Sequence, residues 1–168
     1  LKKSCIVTDV GSTKVSIVAA AHQVLQNPSM FVGSHPLAGS EKKGVEFSSD
    51  TLFQDSTCIM TPLDETNRSA VDRVKRMWAA VGAEVKIFSP EEHDKALAYV
   101  SHLPHIAAYT LMGIMNPDIL QYGAGGLKDT TRIAASTPQV WSDICFANGH
   151  NIIGAIDDFV HGLSTIRK

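Results

Sequence analysis

What most constrains this chain is a change of pattern at Ser89. Before it, apolar runs of strand length alternate with segments of helical period; after it, only helical periods remain. Ser4–Val10 (SCIVTDV), residues 30–34, Ser56–Met60 and Ala83–Phe88 read as strands. Val15, Val18, Ala21 and Leu25 recur at helical spacing until Asn27-Pro28 stops the element. Thr66–Val81 places Val71, Val74, Trp78 and Val81 on one face and Arg68, Asp72, Lys75 and Arg76 on the other, and Gly82 closes it as a helix C-cap. Such alternation predicts α/β units around a mostly parallel sheet. Ser89-Pro90-Glu91-Glu92 then spells a capping box with proline at the first helical position. The expected organisation is α/β over 1–89 followed by all-α over 90–168.

In the second part, Ala96, Val100, Leu103, Ala107 and Leu111 carry a helical period that Pro104 interrupts. Proline removes one backbone bond, so a kink is expected around Ser101-His102-Leu103-Pro104-His105. Tyr122–Arg132 (YGAGGLKDTTR) reads as a glycine-rich loop leading into charge; no Gly-Lys-Ser/Thr follows, so it is not a phosphate-binding Walker loop. Thr137-Pro138 starts a helix carrying Trp141, Ile144 and Cys145, which breaks at Asn148-Gly149. The last helix shows Ile152, Ile156, Phe159, Val160, Leu163 and Ile166 and runs to the end of the chain without a capping signal.

Composition excludes several classes. A net charge of -2 with 19% charged residues carries no basic excess of the kind that suits nucleic acid. No apolar run is long enough to span a bilayer, so no membrane partner is expected. Cys5, Cys58 and Cys145 are dispersed and odd in number, which argues for a reducing, cytoplasmic setting; no metal is expected.

The chemistry-bearing stretch is Gly33–Glu41 (GSHPLAGSE), directly after an apolar run. Pro36 fixes its own φ and biases His35 towards an extended backbone, which aims the imidazole. A histidine just past the end of a strand would sit where open α/β sheets bind ligands. Ser12 or Thr13 lies at a strand-to-helix corner, as an N-cap or as a hydroxyl beside a helix end that favours negative charge.

Five motifs together resemble the prephenate/arogenate dehydrogenase family of tyrosine biosynthesis: Thr8–Lys14 (TDVGSTK), Gly33–Glu41, Ser101–His105 (SHLPH), Gly125–Ala134 (GGLKDTTRIA) and Trp141–Ile144 (WSDI), in that order and spacing. The resemblance implies the C-terminal part of a Rossmann-type parallel sheet, followed by a helical dimerisation domain. It implies oxidative decarboxylation with NAD or NADP, giving 4-hydroxyphenylpyruvate from prephenate or tyrosine from arogenate, in a homodimer joined through the helical domain. His35 would be the catalytic base and Ser12 the hydroxyl contacting both it and the substrate. Arg132 would pair with a substrate carboxylate, and His105 would be a second substrate-binding histidine. Glu41, Lys128 and Asp129 would form a supporting ionic network, Gly125 would let the loop backbone approach the substrate, and Ser12 and Thr13 would touch the cofactor.

The family's GxGxxG dinucleotide loop has no match here. With Leu1 at its start and an uncapped final helix, the chain is expected to be a fragment: the later strands of the nucleotide domain plus most of the helical one. Two other readings stay open. One is another Rossmann-plus-helical hydroxy-acid dehydrogenase, for which SHLPH and TTRIA are a poor match. The other is a non-enzymatic helical dimerisation module, which would need no Ser12/His35/His105/Arg132 set.

Overall fold

The computed structural model describes residues 2, 4–39 and 44–168. The chain divides into two compact units, Leu1–Asp94 and Lys95–Lys168.

In the first unit, β1 (Val7–Thr8), α1 (Val15–Val24), β2 (Phe31–Pro36), β3 (Thr57–Thr61), α2 (Arg68–Ala80) and β4 (Glu84–Ile87) follow in order, and α3 begins at Pro90. The strands form one sheet in the order β1-β2-β3-β4. β1 runs parallel to β2 and β3 parallel to β4, whereas β2 and β3 are antiparallel, with His35 opposite Ile59 and Gly33 opposite Thr61. The expected parallel sheet therefore carries one antiparallel pairing. Its cause is the connection between β2 and β3, whose described residues hold only a short 3-10 turn, Val45–Phe47; a parallel return usually needs a helical crossover. Gly33 permits the close approach at this pairing, since a Cβ there would lie 2.5 Å from Thr61 Oγ1.

Successive residues of β2 serve opposite faces of the sheet. Val32 packs with Cys58, Met60 and the Ala70, Val74 and Trp78 stripe of α2, while Phe31 packs with Val18 and Ala21 of α1. Each large side chain buried this way contributes about 1.5–3 kcal/mol. Asn67 caps α2 by accepting from Ser69 N and Ala70 N, and Gly82, at φ +91°, ends the turn after it.

β1 is much shorter than Ser4–Val10 because its ladder is taken over by a side chain. Ser34 N donates to Asp9 Oδ1 at 2.9 Å, beyond the last backbone pairing at Thr8 and Val32.

The helix α3 (Pro90–Leu97) opens with the expected capping box: Ser89 N donates to Glu92 Oε2 at 2.8 Å and Glu92 N to Ser89 Oγ at 3.1 Å. In the second unit it passes into a π turn (Ala98–His102), then α4 (Leu103–Gly113), α5 (Pro117–Leu120), α6 (Gly125–Thr131), a 3-10 turn (Arg132–Ala135), α7 (Pro138–Ala147) and α8 (Gly149–Ile166). The disturbance expected at Pro104 takes the form of that π turn, in which Leu103 N reaches back five residues to Ala98 O. Ala98, Ile144, Ile152 and Ala155 form the core of this unit. An apolar groove of about 570 Å³ lies along α4 and α8, lined by Leu103, Ile106, Leu111, Ile156, Phe159 and Leu163 among others. Among the described residues no helix is long and apolar enough to cross a membrane.

Candidate functional site

His35 lies inside β2, not past its end, because Leu37 N still donates to Thr57 O and carries the pairing one residue beyond Pro36. Its ring is half-buried and its backbone is fixed by the antiparallel pairing with β3. The imidazole is held by a second one: His35 Nδ1 and His93 Nε2 are 2.8 Å apart, with the rings edge to face at 61°. His93 is wholly buried on α3, and its Nδ1 lies 2.8 Å from Asp94 Oδ1.

Asp94 does what Ser12 and Thr13 were expected to do. Its Oδ1 accepts from Lys14 N at 2.7 Å and its Oδ2 from Val15 N at 2.9 Å, so a carboxylate eighty positions away caps α1. Neither Ser12 nor Thr13 caps this helix, since the cap position falls on Lys14. Burial alone would push the Asp94 carboxyl up. The hydrogen bond from His93 and the two backbone N–H groups outweigh burial and hold it below the ordinary value. Asp94→Ala should therefore lower stability by about 2–3 kcal/mol through two orphaned N–H groups and an unpartnered His93. Thermal unfolding measures this, and an unchanged Tm would show that α1 needs no such cap. Because the folded pKa lies below the unfolded one, near ~3.9, the contribution is complete at neutral pH. It is lost as pH falls through the folded value.

Lys14 is fully buried, with its Nζ donating to Asp9 Oδ2 and to Ser34 O, the latter at 2.7 Å. Burial pushes its amine below the ordinary lysine value, against the pull of Asp9 and Asp94. Asp9 Oδ2 also accepts from Gly11 N at 2.9 Å, and Ser34 Oγ meets Thr8 Oγ1 at 2.9 Å. This network locks the Thr8–Lys14 loop against the strand that bears His35. Ser12 is half-buried in that loop.

A dinucleotide phosphate would seek the N–H groups at the start of a helix, and at α1 two of them, those of Lys14 and Val15, are taken by Asp94. No GxGxxG occurs in the chain, so its residues do not form a pyrophosphate cradle. Ser12 and Thr13 carry hydroxyls in this loop, and Thr13 is buried.

The second unit holds its own set. His105, half-buried on α4, stacks on Trp141 of α7 with centroids 3.6 Å apart, and its Nδ1 lies 3.1 Å from Ser101 O. The carbonyl can only accept, so His105 Nδ1 donates to it and Nε2 carries the lone pair. Burial pushes this imidazole below its ordinary value; the charge of Arg132 adds to that and the Ser101 carbonyl opposes it. The other face of the π turn buries His102, whose Nδ1 accepts from Asn148 Nδ2 at 3.1 Å and whose ring stands edge-on to Trp141. Arg132 is exposed at the junction of α6 with the 3-10 turn. Lys128 and Asp129 are exposed on α6 and make no ion pair among the described residues; Glu41, the third member of their expected network, lies outside those residues. Gly125 is not in a loop but starts α6, with open space where a Cβ would stand.

His93, Asp94, Lys14, Asp9 and Trp141 were given no role from sequence. Glu91-Glu92-His93-Asp94-Lys95 is polar throughout, so no local signal sets the buried His93 and Asp94 apart from their exposed neighbours.

Comparison with known proteins gives a consistent result. Residues 1–87 match a family model described as prephenate dehydrogenase, nucleotide-binding domain, and residues 89–168 one described as prephenate dehydrogenase, dimerization domain. The chain is 38% identical to the cyclohexadienyl dehydrogenase of Zymomonas mobilis, over 99% of this chain and 59% of that protein. It is also 38% identical to the prephenate dehydrogenase of Bacillus subtilis, over 99% of this chain and 47% of that protein. A crystal structure of prephenate dehydrogenase from Aquifex aeolicus with hydroxyphenyl propionate and NAD+ superposes with a TM-score of 0.91 at 40% identity, covering 99% of this chain and 60% of the other. Synechocystis arogenate dehydrogenase superposes with a TM-score of 0.80 at 26% identity, covering 98% of this chain and 61% of the other. The chain thus spans about half to three-fifths of the length of the relatives it matches.

Proposed function

The chain belongs to the prephenate dehydrogenase family, and from that premise we propose that it carries the substrate-side chemistry of an oxidative decarboxylation of prephenate or arogenate. The observation that carries this reading is His35, a half-buried imidazole on a rigid strand, gripped at its Nδ1 by His93 Nε2 at 2.8 Å. The ring hydroxyl of the substrate must shed its proton as hydride leaves the same carbon. Imidazole is the side chain suited to take a proton near neutral pH. A nicotinamide, when bound, supplies the hydride acceptor. Loss of CO2 then returns an electron pair to the ring and makes it aromatic.

The other roles are those that the family resemblance implies, and the side-chain chemistry accords with them. Arg132 pairs with a substrate carboxylate through its planar fork. His105, its ring flat on Trp141 and its imidazole pushed below the ordinary value by burial, binds substrate through Nε2. Ser12 supplies a hydroxyl to the substrate; Lys128, Asp129 and Glu41 supply charge, and Gly125 gives the backbone room. Residues after 89 pair with a second copy in a homodimer. The apolar groove along α4 and α8 and the match to a dimerization domain support that pairing. A cytoplasmic setting accords with three cysteines that form no disulfide.

Incubation of the whole protein with prephenate or arogenate, each with NAD+ or NADP+, tests the reading. Reduced nicotinamide and the aromatic product should form together with at least one combination. Failure of all four would overturn the assignment.

A further inference from the structure

The hydrogen-bond chain behind His35 has a direction. Asp94 is ionised, with its oxygens already taking the N–H groups of Lys14 and Val15. A carboxylate only accepts, so the contact at 2.8 Å places the proton of His93 on Nδ1. When His93 is neutral its lone pair therefore sits on Nε2, and that atom lies 2.8 Å from His35 Nδ1. His35 must therefore be the donor in this contact, with its proton on Nδ1 and its lone pair on Nε2. An inverted chain would leave two acceptors facing at Asp94 or two lone pairs facing between the rings, in a site where His93 is fully buried and Asp94 is 1% exposed.

We propose that His93 and Asp94 are positioning residues that fix His35 in its Nδ1–H tautomer, so that Nε2 is the atom accepting the substrate proton. The proposal rests on the reading of His35 as the base. In the reaction the substrate O–H bond breaks and an N–H bond forms at His35 Nε2. The Nδ1–H bond stays intact, and the new imidazolium keeps donating to His93, whose own proton points at the Asp94 carboxylate. No proton needs to leave the chain. The arrangement works as triad logic does, by orienting the ring and stabilising its charged form, with a second imidazole inserted between carboxylate and base. The same carboxylate caps α1, which ties the base to the loop carrying Ser12. Among the described residues, the other titratable groups around the pair are Lys14 and Asp9, bonded to each other, and Cys58. Burial pushes the Cys58 thiol up to about 11 and keeps it neutral, although the His35 backbone N–H pulls the other way.

Nitrogen-15 NMR of the histidine rings in the whole protein at about pH 8, where imidazole is neutral, reads the tautomer directly. His35 is expected as Nδ1–H; an Nε2–H signal overturns the proposal, and this measurement needs no variant. His93→Leu should lower kcat by ~10–100-fold, the usual cost of removing a partner that orients a ring, with KM changed by less than about twofold. It should also move the acid limb of the kcat profile to lower pH, because His35 loses the acceptor that raises its basicity. His93→Gln, whose Oε1 can accept from His35 Nδ1–H, should recover much of the loss. A folded His93→Leu protein with wild-type kcat and an unmoved limb overturns the relay. His35→Asn run alongside separates the two claims: if it too keeps wild-type kcat, the reading of His35 as base has failed, and if it alone loses turnover, only the relay has.

Discussion

His35→Asn is expected to lower kcat by ~10²–10⁴-fold in the whole protein while KM for the substrate changes little, the usual signature of a missing general base. The substitution removes the acceptor nitrogen but keeps a small polar side chain at a half-buried position on β2. The sheet pairing of His35 with Ile59 runs through the backbone and is untouched, so the unfolding temperature should hold. Steady-state kinetics with saturating nicotinamide cofactor measures the effect. Wild-type turnover in the variant would remove His35 from the role.

Arg132→Ala should act on binding. A guanidinium facing a substrate carboxylate is worth about 2–5 kcal/mol on truncation, because the ligand's charge is left desolvated and unpaired. KM or Kd should rise accordingly, with kcat much less affected. Arg132→Lys should recover only part of the loss, since an ammonium does not reproduce the bidentate fork. Removing Arg132 also takes away one of the influences that hold His105 low, so the His105 imidazole should titrate higher in the alanine variant. Calorimetric titration with substrate measures the first effect. An alanine variant that binds as tightly as wild type would make Arg132 structural.

The parts of this fold that were legible in the sequence are those whose signals are local. Ser89 and Glu92 are three residues apart, and their reciprocal capping bonds form as the spacing suggests. The stripe of Val74 and Trp78 buries against the sheet as a helical period requires. What escaped are bonds made across long separations. The N-cap of α1 looked like a matter for Ser12 or Thr13, yet Asp94 supplies it from another helix. Asp9 read as the end of a strand, and its carboxylate instead replaces the ladder by taking Ser34 N, so β1 keeps only two residues.

The same distinction runs through the site. His35 stood out because Pro36 and its glycines mark the segment locally, whereas His93 sits in an ordinary amphipathic helix turn and gains its meaning only from the ring it meets at 2.8 Å. Pro104 predicts a kink, and the structure has a π turn that buries His102, with His105 stacked on Trp141. Gly125 looked like loop and begins a helix, since glycine at a helix start leaves no local trace that distinguishes the two.

The most direct test of the central claim is the pH dependence of kcat/KM, measured for the whole protein and for the residual activity of His35→Asn. In the wild type, the rate should fall as pH drops through the imidazole range, around ~6.5, because a protonated His35 accepts nothing. In the variant that acid limb should be absent. The same limb, at the same pH, in both proteins would contradict the account.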